Sequence, residues 1–202
     1  MNQERTGYKN QINTRHMTMI AMLSGISYVL AFLEFPVPLS PAFARMDLSD
    51  LPALIGSFAF GPFAGVLIEL LKNLLQMLST STAGVGELAN FLMGGSYVWI
   101  AGMIYSRNKN KKQAWTSVIF ASVIMGIVAA VTNYYILLPA FEQFMPLEQL
   151  ITSFGEFIPF IKTKLDVVIY NAFPFNMLKG LAVGVITMLV YKKLSPFLKG
   201  IR

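Results

Sequence analysis

The stretch Gly61–Gln76, GPFAGVLIELLKNLLQ, reads as a membrane-spanning helix, yet it carries Glu69, Lys72, Asn73 and Gln76 in its second half. Their spacing of i, i+3, i+4 and i+7 sets all four on one helix face. A carboxylate, an ammonium and two amides on one stripe can hold a polar guest by charge and hydrogen bonds. The bland alternative is a self-neutralised pair that glues helices together. An ionisable group in hydrocarbon is costly unless it meets a polar partner or a wet cavity, so this face points into the protein. Four more polar residues sit in apolar surroundings: Asn90, Asn133, and the i, i+3 pair Asn176 and Lys179. Amides offer both a donor and an acceptor, which suits an amide or imide edge on a planar neutral ligand.

Composition says what kind of scaffold must hold them. Of 202 residues, 55% are hydrophobic and 13% charged, which marks an integral membrane protein with room for about six spans. There is no Cys, and the single His16 precedes the first span, so thiolate and His-based metal sites and a buried His catalyst are excluded. No G-x-x-x-x-G-K-[ST] occurs; if ATP drives the work, another subunit hydrolyses it. Gly84-Val-Gly86-Glu-Leu-Ala89 mimics a dinucleotide fingerprint, but no strand precedes it, and it reads as a loop-to-helix junction.

The expected class is all-α: six transmembrane helices over 16–195, with cytoplasmic segments 1–15 and 196–202. The first helix, from about Met17 to Phe35, is uncleaved and holds Ala21 and Gly25, a small-xxx-small pair suited to close helix approach. The three prolines of 34–45 make a structured loop. Asp47, Ser49, Asp50 and Pro52 supply helix-start chemistry for a second helix, short for a span, which ends at Gly61-Pro62. Further helices follow to about Leu78, over 87–105 and over 114–138, where Pro139 is expected to stop the chain. Residues 141–163 read as an external loop with room for a short surface helix. The last span starts at Pro174 or kinks there.

Eleven of the sixteen Lys and Arg fall in the N-terminal segment, in 106–113 and in the tail, which six spans place on one side. The positive-inside rule makes that side cytoplasmic. Glu69, Lys72, Asn90, Asn133, Asn176 and Lys179 then all lie in the outer half, Glu69 being the only acid read as lying within the membrane. The expectation is a cavity open only to the exterior, capped by loop 34–45, with 141–163 as a further candidate cap. An ion pore or proton relay would string polar groups across the whole thickness instead. Candidate aromatic walls are Phe35, Phe43, Phe91, Tyr97, Trp99, Tyr134 and Phe175, against ordinary packing for each.

The run MDLSDLPALIGSFAFGPFAGVLIELLKNLLQ, then GVGELANF, NYYILLPA and PFNMLKG, resembles the riboflavin-specific substrate-binding (S) component of energy-coupling factor (ECF) vitamin transporters. The resemblance covers most of 17–195. It implies a six-helix subunit of the bacterial plasma membrane that captures riboflavin at its outer face, with no catalytic cofactor and no nucleic acid. Its partners would be a transmembrane coupling (T) subunit and two ABC-type ATPases, in a lipid bilayer. Carried over residue by residue, Asn133, Asn176 and Lys179 would hydrogen-bond the flavin, and Glu69, Lys72 and Asn90 would line the same pocket. Met46 and Asp47 would close over it, and Ala21 and Gly25 stand where the family docks its partner. Alternatives are FMN or another vitamin as ligand, since related subunits share architecture but not pocket residues. An integral-membrane enzyme would need an acid/base or metal constellation, and a purely structural subunit would leave the polar cluster without a purpose.

Overall fold

The structure of the protein, a computed structural model, describes residues 14–36, 45–80 and 82–199. Most of the expected N-terminal segment, most of the Pro-rich loop with Phe43, and the end of the tail lie outside the described residues. The elements are α1 (Thr14–Ala31), β1 (Phe35–Pro36), β2 (Arg45–Met46), α2 (Asp50–Phe60), α3 (Pro62–Gln76), α4 (Val85–Arg107) and α5 (Lys111–Thr132). They are followed by α6 (Leu138–Phe141), α7 (Leu147–Gly155), α8 (Lys164–Val167) and α9 (Phe173–Lys199). The strands are two residues each and antiparallel, Phe35 opposite Met46, and they draw together the two ends of the Pro-rich loop.

Helix α2 is the pole of the bundle. It packs against α1, α3, α4 and α9, and eight of its residues, from Asp50 to Phe58, are buried. A helix that is apolar all round has no face to give to lipid or water and ends up inside. At 1.5 Å per residue it is only about 16 Å long, too short to cross hydrocarbon alone. Gly61 then turns the chain with φ of +104°, a conformation that favours glycine, and Pro62 opens α3. Among the described residues three helical stretches are long and apolar enough to cross a membrane: Val85–Arg107, Lys111–Phe141 and Lys164–Tyr191.

Two of those stretches run straight through prolines expected to end or start them. Pro139 does not stop the fifth helix, because a π-helical turn over Asn133–Leu137 precedes it and places it in the first turn of α6. Likewise α8 continues into α9 through a π-helical turn over Val168–Ala172, with Pro174 just beyond. A wider turn leaves room for the proline ring and absorbs the missing N–H. Both irregular turns face the same cavity, described below.

The main core joins Leu54, Phe58 and Ile68 to Tyr97, Val98, Val118, Met125 and Val183. Two hydrogen bonds cross it: Ser57 Oγ donates to the Val98 carbonyl at 2.7 Å, and the Tyr97 hydroxyl donates to the Gly180 carbonyl at 2.7 Å. A second, smaller cluster of Leu138, Leu150, Phe154, Ile161, Val167 and Val168 fastens α7 to the ends of α6 and α8. The segment 141–163 is therefore a packed wall with an apolar inner face.

Candidate functional site

Where α2 begins, its N-terminal residues turn away from capping. The Ser49 N–H donates to Asp47 Oδ1 at 2.7 Å, but Ser49 makes no side-chain cap bond to the helix. Its hydroxyl instead accepts from Lys72 Nζ at 3.1 Å. Lys72 also meets Asp50 Oδ1 at 2.8 Å and Glu69 Oε2 at 2.6 Å. All three N–H donors of the ammonium are thus engaged, and the side chains of Lys72 and Glu69 have no exposed surface. The expectation that Glu69 is the only acid within the bundle is corrected: Asp50 is as deeply buried, beside the positive end of α2's own dipole. Sequence reading assigned it to helix initiation, and it does stand in the first turn of α2, but that reading missed its two lysine partners.

A second lysine extends the network upward. Lys179 Nζ lies 3.1 Å from Asp50 Oδ2 and 3.2 Å from Asp47 Oδ2. Three carboxylates and two ammonium groups therefore alternate as Glu69–Lys72–Asp50–Lys179–Asp47 and tie α3, α2 and α9 to the chain that leaves β2. Two carboxylates occupy Lys179, which leaves one of its three N–H donors for something else. The two lysines differ in that single respect.

Lys179 also lines a cavity of about 310 Å³. Asn90, Asn133, Asn176, Lys179 and Asp47 line it, whereas Glu69 and Lys72 lie beneath it and Met46 does not reach its wall. Gln76, the last residue of the expected stripe, reaches it from the end of α3, and residues not expected there also contribute: Glu87 in the first turn of α4, Asn171 in the second π-helical turn, and Phe141 and Phe154 from the 141–163 wall. Of the proposed aromatic walls among the described residues, only Phe175 belongs to it. Tyr97 is buried in the main core, Trp99 and Phe35 are exposed, and Tyr134 meets Tyr135 edge-on beneath Lys164.

The asparagines share one geometry. Asn133 Nδ2 donates to the Ala129 carbonyl at 2.8 Å, and Asn176 Nδ2 donates to the Ala172 carbonyl at 2.9 Å. Because a carbonyl can only accept, each amide is oriented with its oxygen free to accept from a guest. Gln76 Oε1 is also buried with no hydrogen-bond partner among the described residues. The cavity wall therefore offers amide oxygens as acceptors, amide N–H groups as donors, and the Lys179 ammonium.

Gly94 of α4 covers the network. A Cβ there would sit 2.7 Å from Glu69 Oε2 and 3.2 Å from Asp50 Oδ1. Gly94→Ala is expected to push those carboxylates off Lys72 and to cost about 1–3 kcal/mol, a typical overpacking penalty. A thermal melt of the purified variant reads it directly. Ala21 and Gly25 lie elsewhere, exposed on α1, and a Cβ at Gly25 would meet nothing within 4 Å. Internal helix packing does not account for that pair.

The model of the ECF transporter substrate-specific component matches residues 15–191. This chain belongs to the ECF S-component family. It is 36% identical over 193 residues to the riboflavin transporter RibU of Staphylococcus aureus (strain TCH60), covering 95% of this chain and 96% of that one. It is 32% identical to the riboflavin transporter FmnP of Bacillus subtilis (strain 168), covering 93% and 96%. A solved S component of a bacterial ECF transporter superposes with a TM-score of 0.74 at 34% identity, over 92% of this chain and 98% of that one. The S component is thus a multi-pass membrane transport subunit, helical apart from the two short strands, and not an enzyme.

Proposed function

We propose that this S component captures riboflavin in the 310 Å³ cavity, with the cavity open to the cell exterior. The observation that carries the reading is the pairing of acceptor-oriented Asn133 and Asn176 with the one unspent donor of Lys179. A flavin has a flat apolar ring system with an imide edge that both donates and accepts, and a hydroxyl-rich tail. Phe141, Phe154 and Phe175 suit the ring, the amides and Lys179 suit the imide, and Gln76 and Glu87 suit hydroxyls. Both curated relatives described above are named riboflavin transporters, which supports the same ligand.

Orientation follows from charge. Glu87 at the cavity and Arg107 at the basic loop are twenty residues apart on α4, about 30 Å, one hydrocarbon thickness. Loop 106–113 and the termini would face the cytoplasm of a bacterial plasma membrane, and six helices (α1–α5 and α9) would form the spans. Family membership implies an ECF T subunit and ATPases as partners; two ABC-type ATPases, and docking through the exposed Ala21–Gly25 face, belong to the proposal.

The test is spectroscopic. Purified protein should carry flavin absorbance or quench added riboflavin at near-stoichiometric ratio; correctly folded protein that binds no flavin would move the assignment to another vitamin. FMN should bind about ten-fold more weakly or worse. Among the described residues the cavity wall carries Glu34, Asp47 and Glu87 against Lys179 alone, whose charge already meets two carboxylates. A phosphate dianion adds like charge to that wall. Equal affinity for the two flavins in a competition titration would refute this selectivity.

A further inference from the structure

The bundle has a larger hollow at its opposite end. It measures about 780 Å³ and lies between the start of α5, the turn before it, and the second half of α9. Its mouth carries Lys109 and Lys111, both exposed, and among the described residues its lining contains no acid. Below them Trp115, Val185 and Leu189 form its sides, and these remain 39%, 40% and 71% exposed. From Tyr191 back to Val185 the apolar wall of α9 descends about 9 Å into the membrane.

The hollow is built to stay open. Phe58, Tyr105 and Tyr191 close its floor as an aromatic trio, with centroids 4.3 Å apart for Phe58 and Tyr105 and 5.7 Å for Phe58 and Tyr191. The Tyr191 hydroxyl donates to the Phe58 carbonyl at 3.1 Å, which ties the floor to α2. The turn that carries the lysines is braced as well. Gln113 N–H donates to Asn110 Oδ1 at 2.7 Å, Asn110 N–H to the Asn108 carbonyl at 2.8 Å, and Gln113 Nε2 to the Ile104 carbonyl at 3.2 Å.

We infer that this trough holds an acidic phospholipid of the cytoplasmic leaflet, its phosphate between Lys109 and Lys111 and an acyl chain along Val185 and Leu189. The leaflet rests on the orientation given under Proposed function; the chemistry does not. A cationic rim above an apolar trough matches an anionic head group joined to a hydrocarbon tail. Trp115, one turn below Lys111, sits at the depth where indole rings partition between the two. A zwitterionic lipid gains much less from the lysines, because its own ammonium opposes them.

The chain has two tryptophans, so Trp99→Phe leaves Trp115 as the sole reporter. That variant is placed in vesicles of phosphatidylcholine mixed with dibrominated phosphatidylglycerol, and separately with dibrominated phosphatidylcholine. Quenching of Trp115 gives the relative binding constant of the two lipids. The acidic lipid should be favoured about ten-fold, at roughly one lysine's surface attraction or more. Adding Lys109→Gln and Lys111→Gln should bring the ratio close to one. A ratio near one before those changes, or an unaltered preference after them, would overturn the assignment. So would shielding of Trp115 from both lipids only when the T subunit is present, since the occupant would then be a protein. Riboflavin binding is measured in the same vesicles; its loss would count against the vitamin reading and leave the lipid ratio interpretable.

Discussion

Replacing Lys72 with methionine is expected to be the most destabilising single change in this S component. The ammonium sits among Ser49, Asp50 and Glu69 with no exposure. Methionine nearly fills the same space, so packing loss is small and the electrostatic loss stands out. Without Lys72, Glu69 and Asp50 are left buried with Lys179 alone to offset them, and Lys179 reaches only Asp50. Breaking a buried ion pair from one side typically costs about 3–5 kcal/mol, because a stranded charge remains. The melting midpoint in detergent should fall sharply. Lys72→Met combined with Glu69→Gln restores the charge balance and should be less destabilised than Lys72→Met alone, a non-additivity that marks direct coupling. A single variant that melts like the native protein, or a double variant no better than the single, would show that the network carries no such weight.

How much of this was legible in the sequence depends on which property each residue declares locally. The stripe Glu69, Lys72, Asn73 and Gln76 was readable because helix periodicity and apolar neighbours both act within one turn or two. It does not show depth. Glu69 and Lys72 face inward as the spacing requires, yet they stop beneath the cavity, and only Gln76, a turn further on, reaches its wall. Asp50 looked like an ordinary helix-start acid, since nothing in its neighbours announces two lysines that arrive from 22 and 129 residues away. Pro139 read as a stop, and Pro174 as a start or a kink, because a proline interrupts most helices. The π-helical turns that carry the chain past them depend on tertiary packing around Asn133 and Asn171. Phe141 and Phe154 were missed for a related reason. Their segment is polar enough to pass for an external loop, and only the fit of Leu150 and Phe154 against Val167 and Val168 turns it into a wall.

The largest expected effects on ligand capture belong to Asn133 and Asn176, and they should come without loss of stability. Each amide spends one of its two N–H donors on the carbonyl one turn back in its own helix, which alanine leaves to accept other contacts or water. What alanine removes is the oxygen turned to the cavity. If that oxygen accepts from the flavin in a site largely shielded from water, its loss strands the ligand's donor. The penalty is then about 1–3 kcal/mol, or roughly ten- to a hundred-fold in Kd. Lys179→Ala must behave differently, because Lys179 serves both the cavity and the carboxylates of Asp47 and Asp50. It should weaken riboflavin binding and lower the melting midpoint together. Lys72→Met should act mainly on the midpoint. Fluorescence titration and thermal melts on the same four variants separate the groups that hold the guest from those that hold the frame. Asn133→Ala and Asn176→Ala proteins that melt normally and also bind normally would place the ligand somewhere other than this cavity. A Lys179→Ala protein that loses stability but keeps native affinity would mean that its third N–H never reaches the flavin.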